Sequence, residues 1–261
     1  MLNTIIRVIG LVWRIIATGL CFSVFGLGGL FLALLLFPVQ RLFQRCPVKQ
    51  KENARTVVHY SFKFFVALMH YTGAIRFHIK DKAHLANLKG ELVLANHPSL
   101  IDVVVLISVI KNVDCVVKAH LFTNPFMRGV IKSTGYISNE APQELLKECE
   151  QTLKRGNNLI VFPEGTRSVP HNSLKFKRGA ANIALRCHAP ITTVLIKMKP
   201  NTLTKGTPWY KVAPYQAHFS MQLAPHSFKS DIIYTSDVPA IQSRQLTKGL
   251  QQYFTKELSY I

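Results

Sequence analysis

Acidic residues are scarce in this chain of 261 residues: 13 Asp and Glu stand against 32 Lys and Arg, a formal charge of +19 at pH 7. Charge of either sign is sparse, at 17% of residues against 48% hydrophobic. A disordered, solvating chain pairs high charge with few apolar residues, so that class is excluded. So large a positive excess on so few ionisable groups implies an anionic partner. Nucleic acid, an acidic membrane face and a phosphorylated or acidic substrate all satisfy it. Paired cysteines are missing too. Cys21, Cys46, Cys115, Cys149 and Cys187 are odd in number and widely spaced, and none forms a C-x-x-C pair. That argues against a zinc ribbon or redox motif and for a reduced, cytoplasm-facing chain. There is no internal repeat and no long low-complexity linker. No zinc finger, RNA-recognition motif or other nucleic-acid module is present, so nucleic acid is set aside as a partner. The length suits one large domain plus an accessory segment.

The N-terminal segment has no charged side chain from Ile15 to Val39. As a helix this run is about 37 Å long, enough to cross the ~30 Å hydrocarbon layer of a bilayer. It is too long for a signal-peptide core and no A-x-A-like site follows it. A soluble core helix of that length without a polar face would be unusual. The expectation is a membrane-embedded segment. Gly26, Gly28, Gly29 and Pro38 leave two shapes open, a kinked spanning helix or a hairpin that enters and leaves one leaflet. Arg7 and Arg14 precede the run, whereas Arg41, Arg45, Lys49, Lys51 and Arg55 follow it. The positive-inside rule then puts the bulk of the chain on the cytoplasmic side of the inner (cytoplasmic) membrane. From Ala54 to Tyr71 the chain is aromatic and apolar with Arg55, His59, Lys63 and His70 interspersed. A helix at the membrane interface and an ordinary amphipathic core helix both fit this stretch.

From residue 75 the pattern becomes α/β. Ile75, Phe77 and Ile79 alternate with Arg76, His78 and Lys80 as in a half-buried strand. Short apolar runs at Leu92–Leu94, Val113–Val117, Leu159–Phe162, Ile191–Ile196 and His218–Leu223 read as further strands. Helices are expected at Val103–Ile110, at Pro142–Arg155 between an opening proline and Gly156, at Ala180–Arg186, and around Leu246, Leu250, Phe254 and Leu258. The division expected is residues 1–72 as a membrane-embedded and interfacial helical segment and 73–261 as an α/β domain. In open α/β sheets, sites gather in the loops beyond strand ends.

Two motifs sit in such loops. Asn96-His97-Pro98-Ser99-Leu100-Ile101-Asp102 directly follows an apolar run. A turn there brings the Asp102 carboxylate to the His97 imidazole, making a base with a group that fixes its tautomer. The plainer reading is that Asp102 favours the positive end of the next helix. Phe162-Pro163-Glu164-Gly165-Thr166-Arg167-Ser168 follows another strand, with Lys175, Lys177, Arg178 and Gly179 close behind. Gly165 permits a tight turn, and Arg167 offers a planar fork for phosphate or carboxylate. The plainer reading here is a turn plus a basic face on headgroups.

In this order the motifs are far more specific. The stretch from about Gly90 to Val194 resembles the glycerolipid acyltransferase family, whose members include 1-acylglycerol-3-phosphate acyltransferase. That family carries an N-H-x4-D block, then F-P-E-G-T-R-S, then F-K-x-G, matched here by Asn96–Asp102, Phe162–Ser168 and Phe176–Gly179. The resemblance implies a mixed, open α/β sheet surrounded by helices. It implies acyl transfer from acyl-CoA or acyl-carrier protein, as co-substrate, to a lysophospholipid hydroxyl. It assigns His97 as general base and Asp102 as its orienter. Glu164, Gly165, Thr166 and Arg167 would shape the acceptor site, with Arg167 meeting the phosphate, and Lys177 would join them. No cofactor and no metal are implied, and membrane lipids are the partners.

Two departures concern the acceptor. The family's G-x-I-F-x-x-R block has its nearest counterpart at Gly135-Tyr136-Ile137-Ser138-Asn139-Glu140, which lacks the arginine, and Thr193 stands at the second proline of P-I-x-P-V. The same transfer onto a non-phosphatidate lipid or an amine therefore stays open. So does a surface role for Lys118 beside one in the channel. A reading of a different class is a non-catalytic scaffold on the membrane surface, against which the spacing of His97 and Asp102 argues.

Overall fold

The computed structural model describes residues 2–170, 172–226, 228 and 237–260, with side chains from residue 5. The apolar N-terminus forms one unbroken helical rod. Helix α1 (Leu2–Phe31) passes into a π-helical turn (Leu32–Leu36) and on into α2 (Phe37–Phe43) without leaving right-handed helical angles. The Phe37 N–H bonds the Leu32 carbonyl five residues back, a widened turn that carries the rod to Pro38. The chain does not reverse at Gly26, Gly28 or Gly29. It reverses at 44–46, where Gln44 and Cys46 are extended and Pro47 opens α3 (Pro47–Tyr71). Among the described residues, Ile5–Phe43 is the one helix long and apolar enough to cross a membrane, by length and composition, and only 11% of its most apolar window is buried.

Helix α3 has one buried face and one exposed aromatic face. Val58, Phe65 and Met69 are buried, whereas Tyr60, Phe64 and Tyr71 are exposed. Phe25 of α1 stacks on Phe62 and meets Phe65 edge-on, at centroid distances of 5.8 and 5.1 Å. The first helices therefore share one core with the rest of the chain, which runs from Ala17 and Cys21 through Val58 to Val93 and Val105.

The remainder alternates strand and helix. In chain order come β1 (Ile75–Ile79), α4 (Lys82–Ala86), β2 (Leu92–Ala95), α5 (Asp102–Val109), β3 (Val113–Val117), α6 (Arg128–Thr134) and β4 (Ile137–Ser138). Then follow α7 (Pro142–Lys154), β5 (Asn158–Val161), α8 (Arg178–Cys187), β6 (Ile191–Lys199), β7 (Ala217–Leu223) and α9 (Pro239–Ser259). The seven strands form a mixed sheet in the order β1-β7-β6-β2-β5-β3-β4, parallel throughout except between β6 and β7. Helices cover both faces. Val93 and Ile160 point into the layer with α3, α5 and α6, whereas Leu92, Leu94, Leu159 and Val161 point into the layer with α7, α8 and α9. That alternation is the two-residue period of a strand buried on both sides, the reason these runs carry no polar positions.

Helices α4 and α6 and strand β4 were not legible in the sequence. Seven residues or fewer present too little of a repeat to be read.

A buried ion pair ties α3 to the sheet. Arg55 Nη2 lies 2.5 Å from Asp114 Oδ1 of β3. Arg55 Nε also donates to the Thr134 carbonyl at 3.0 Å, and Thr152 Oγ1 of α7 donates to Asp114 Oδ2 at 2.8 Å. Burial pushes the Asp114 carboxyl up, and the Arg55 guanidinium is the largest influence pulling it back. Asp114→Ala strands a buried guanidinium, so it should cost about 3–5 kcal/mol in a denaturant titration of the purified protein. Glu150→Ala, at the exposed pair with Lys154 and Arg186, is the control and should leave the midpoint unchanged.

Candidate active site

The site follows from one pairing. Strands β2 and β5 are parallel neighbours in register, Leu92 to Leu159 and Leu94 to Val161. Both chains therefore leave the sheet at the same end, and the motifs that follow stand side by side. Asn96 fixes the exit of β2. Its buried side chain donates to the Ile196 carbonyl and accepts from the Ile196 N–H, both at 2.8 Å, so an amide continues the ladder to β6.

Two reciprocal contacts zip the loops together. The His97 N–H donates to Glu164 Oε1 at 2.8 Å, and the Ser168 N–H donates to the His97 carbonyl at 2.7 Å. The Ser168 hydroxyl lies 3.0 and 2.8 Å from the two Glu164 oxygens. Glu164 is buried, at 6% exposure, and its carboxylate is taken up by these protein donors. Phe162 stacks on the His97 ring at a centroid distance of 4.1 Å and an angle of 21°, which sets the imidazole plane.

His97 Nδ1 lies 2.8 Å from Asp102 Oδ2. Asp102 opens α5 and is fully buried, and the same Oδ2 accepts the Ser99 N–H at 2.8 Å. The two sequence readings of Asp102 thus coincide: it sits in the first turn of the helix and it meets the imidazole. Burial pushes its carboxyl up to about 6, although the hydrogen bonds from His97 and Ser99 pull it down. The Nδ1–H···Oδ2 contact leaves Nε2 as the acceptor nitrogen. Nε2 has no hydrogen-bond partner among the described residues, and the His97 side chain is 17% exposed. Chemically this is an imidazole of fixed tautomer that can take a proton at Nε2.

The remaining motif residues lie around this pair. Gly165 adopts φ +63°, and a Cβ there would come within 3.1 Å of the Lys177 side chain, so the lysine lies over the turn. The Lys177 N–H donates to the Pro163 carbonyl at 2.8 Å. Thr166 is half-buried beside them. Arg167 Nη1 donates to the carbonyls of Leu203 and Thr204 at 3.0 and 2.9 Å, while Nε and Nη2 have no partner among the described residues. The structure therefore brings His97, Asp102, Glu164, Gly165, Arg167 and Lys177 together, with Glu164 facing inward.

The departures also have places. Asn139 Oδ1 accepts the Ala119 N–H at 3.0 Å and its own N–H reaches the Val117 carbonyl, so it joins β4 to the end of β3. Thr193 sits in β6, its hydroxyl 2.8 Å from the Tyr253 hydroxyl of α9. Lys118 is exposed after β3. Sequence reasoning missed the loop from 200 to 216, which presses against the motifs. Leu100 N–H bonds the Leu203 carbonyl, and Ser99 Oγ donates to the Thr202 carbonyl at 3.3 Å. Its backbone acceptors leave no signature in side-chain identity.

Residues 75–197 match a family model described as Acyltransferase. The chloroplastic 1-acyl-sn-glycerol-3-phosphate acyltransferase BAT2 of Brassica napus is 26% identical over 191 residues, covering 68% of this chain and 52% of that protein. The 1-acyl-sn-glycerol-3-phosphate acyltransferase beta of Homo sapiens is 26% identical over 153 residues, covering 56% of this chain and 55% of that one. The chain thus spans about half the length of these curated relatives. The crystal structure of the 1-acyl-sn-glycerophosphate acyltransferase PlsC from Thermotoga maritima shares the fold, with a TM-score of 0.63 at 19% identity over 94% of this chain and 97% of that one. The matched segment opens with β1, contains both zipped loops and ends in β6, so the likeness to the acyltransferase model spans the sheet's centre and the whole of the candidate site.

Proposed function

We propose that this protein is a membrane-associated acyltransferase that moves a fatty acyl chain from acyl-CoA or acyl-carrier protein to the hydroxyl of a lysophospholipid such as 1-acylglycerol-3-phosphate. The observation that carries the reading is the 2.8 Å contact between His97 Nδ1 and a fully buried Asp102, which leaves Nε2 open. In the proposed step, Nε2 takes the acceptor's hydroxyl proton as the oxygen attacks the thioester carbonyl. The carbon–sulfur bond then breaks, and the imidazolium returns the proton to the departing thiolate. Asp102 holds the tautomer and offsets the imidazolium charge; general base catalysis of this kind contributes ~10²–10⁴-fold. Arg167, with Nε and Nη2 open, is the proposed contact for the acceptor phosphate, beside Lys177.

Membrane association is proposed through the outer face of the rod Leu2–Phe43, where Leu20, Leu27, Phe31, Leu34, Leu42 and Phe43 are exposed, as are Tyr60 and Phe64 of α3. The basic residues following α1 place the α/β domain on the cytoplasmic face of the inner membrane in this reading. A second reading keeps the chemistry and exchanges the acceptor for a lipid without a phosphomonoester, or for an amine. It is favoured by the absence of arginine from residues 135–141. A panel of lysolipids offered with both thioester donors, with products read by mass spectrometry, separates the two. A protein that esterifies none of them, with His97→Ala behaving as wild type in cells, would instead be a scaffold.

Two outcomes follow for variants. Asp102→Asn should lower kcat/KM about 10²–10⁴-fold at pH 8 without lowering the unfolding midpoint. The reason is the sign of the shift. With a folded pKa of about 6 against an unfolded value near 4, ionised Asp102 lowers stability above pH 6, and the fold recovers that loss on acidification. The same group makes wild-type kcat/KM fall as pH drops through about 6, where the carboxylate takes up a proton and stops accepting from Nδ1–H. A rate that is flat from pH 8 to pH 5 refutes this assignment. Arg167→Lys should raise the KM of a phosphate-bearing acceptor about as much as Arg167→Ala. An ammonium cannot span the Leu203 and Thr204 carbonyls while also forking a phosphate. Initial rates against acceptor concentration check it.

A further inference from the structure

The loop 200–216 touches three things at once: the His97 motif, Arg167 and the N-terminal helix. At its near end, Thr202, Leu203 and Thr204 give their carbonyls to Ser99, Leu100 and Arg167. At its far end, Trp209 lies against Gly19 of α1, where a Cβ would come within 3.1 Å of the indole, and its ring is 6.1 Å from that of Phe22. Arg14 Nη2 of α1 donates to the Pro214 carbonyl at 2.7 Å. Thr204 and Thr207 hydroxyls bond each other at 2.8 Å across the bend between the two ends.

The loop's composition is as informative as its contacts. Residues 200–216 contain no Asp or Glu, and carry Lys205, Lys211, Trp209, Tyr210 and Tyr215. Trp209, Tyr210 and Tyr215 are 43%, 56% and 59% exposed although each is large and aromatic. Trp and Tyr gather where one end of a ring is apolar and the other wet, at the headgroup level of a bilayer, and lysines there meet lipid phosphates. Trp209 rests on α1 at half-buried Gly19 and Phe22, next to Leu20 of that helix's exposed apolar face.

We propose that the loop 200–216 is a second membrane-contacting element, seated in the headgroup layer of a lipid bilayer through Trp209, Tyr210 and Tyr215. It sets the position of Arg167 through the carbonyls of Leu203 and Thr204. The residues that face lipid are positioning residues: they act on the acceptor site through Arg167 and leave the imidazole alone. This rests on the acyl-transfer reading given above, with Arg167 as the acceptor contact. It adds that the open side of His97 and Arg167 faces the bilayer surface, where a lysolipid arrives headgroup first.

The chain has two tryptophans, Trp13 and Trp209, so Trp13→Phe leaves Trp209 as a single reporter. The full-length variant is mixed with phosphatidylcholine vesicles containing phosphatidylglycerol, in which the phosphatidylcholine chains carry bromine either near the glycerol or near the chain end. Flotation measures binding and fluorescence measures depth. The expected result is co-flotation with Trp209 emission quenched at least twofold more by the shallow bromine. Co-flotation without quenching overturns the loop contact and leaves the membrane reading of α1 standing. Failure to float overturns both. Kinetics test the link to Arg167 separately. Trp209→Ala should raise the KM of the vesicle-borne acceptor about fivefold or more, leave the KM of the thioester within twofold, and be rescued by Trp209→Tyr. An acceptor KM within twofold of wild type overturns the link. Loss of all activity in both Trp209 variants, with an unchanged unfolding midpoint, overturns the positioning role.

Discussion

The arrangement at the sheet's end depends on the Glu164 carboxylate. It receives the His97 N–H and the Ser168 hydroxyl, while the Ser168 N–H returns a bond to the His97 carbonyl. Two loops separated by more than sixty residues are thereby fixed to each other at one residue, the residue that carries the imidazole. The partners are backbone groups and a buried carboxylate, so the register allows little slip: a buried acceptor left without a donor costs ~1–3 kcal/mol or more. The Asp102 contact and the Phe162 stack then orient a ring whose backbone is already held.

That constraint explains why the motifs read so well and their surroundings so poorly. The apolar runs of β2 and β5 are buried on both faces, so they stand out as continuous hydrophobic stretches, and parallel pairing puts their exits together. The fold class and the His97–Asp102 contact were both legible for this reason. The long rod from Leu2 to Phe43 was legible as an apolar helix, but its course past the glycines was not. At these glycines the rod packs closely on the segment just before α6: the Phe126 carbonyl lies 3.1 Å from where a Cβ at Gly29 would stand. The sequence suggests α3 is either interfacial or core, and the structure buries one face of it in the core and leaves Tyr60, Phe64 and Tyr71 exposed on the other. The loop at 200–216 was invisible because it contributes carbonyls, which every residue has.

The distribution of charge is part of the same logic. Acid is scarce, and most of the carboxylates that the structure buries have assigned partners: Asp102 with His97, Asp114 with Arg55, Glu164 with the loop N–H groups, Glu257 with His226. These four of the thirteen carboxylates are thus engaged in internal contacts, while much of the basic excess stays at the surface. Such a surface is attracted to anionic headgroups over roughly a Debye length, and this adds to the apolar contacts of α1 and α2 in the proposed association.

Sorting the motif residues by what their polar atoms touch narrows what can recognise an acceptor. Asn96, Ser99, Glu164 and Ser168 make their bonds within the protein. What stays open is Nε2 of His97, two nitrogens of Arg167, and Lys177 over the Gly165 turn. Asn139 and its neighbours, where relatives by resemblance would place an arginine, are committed to holding β4 against β3. A phosphate acceptor would therefore meet one fork and one point charge where a second fork would sit in the family pattern. Because Arg167 already gives Nη1 to the loop carbonyls, its remaining face is pre-set in direction. In the proposed reading, acceptor choice then turns on how rigidly the loop at 200–216 holds that one guanidinium, a property of backbone geometry that no motif records.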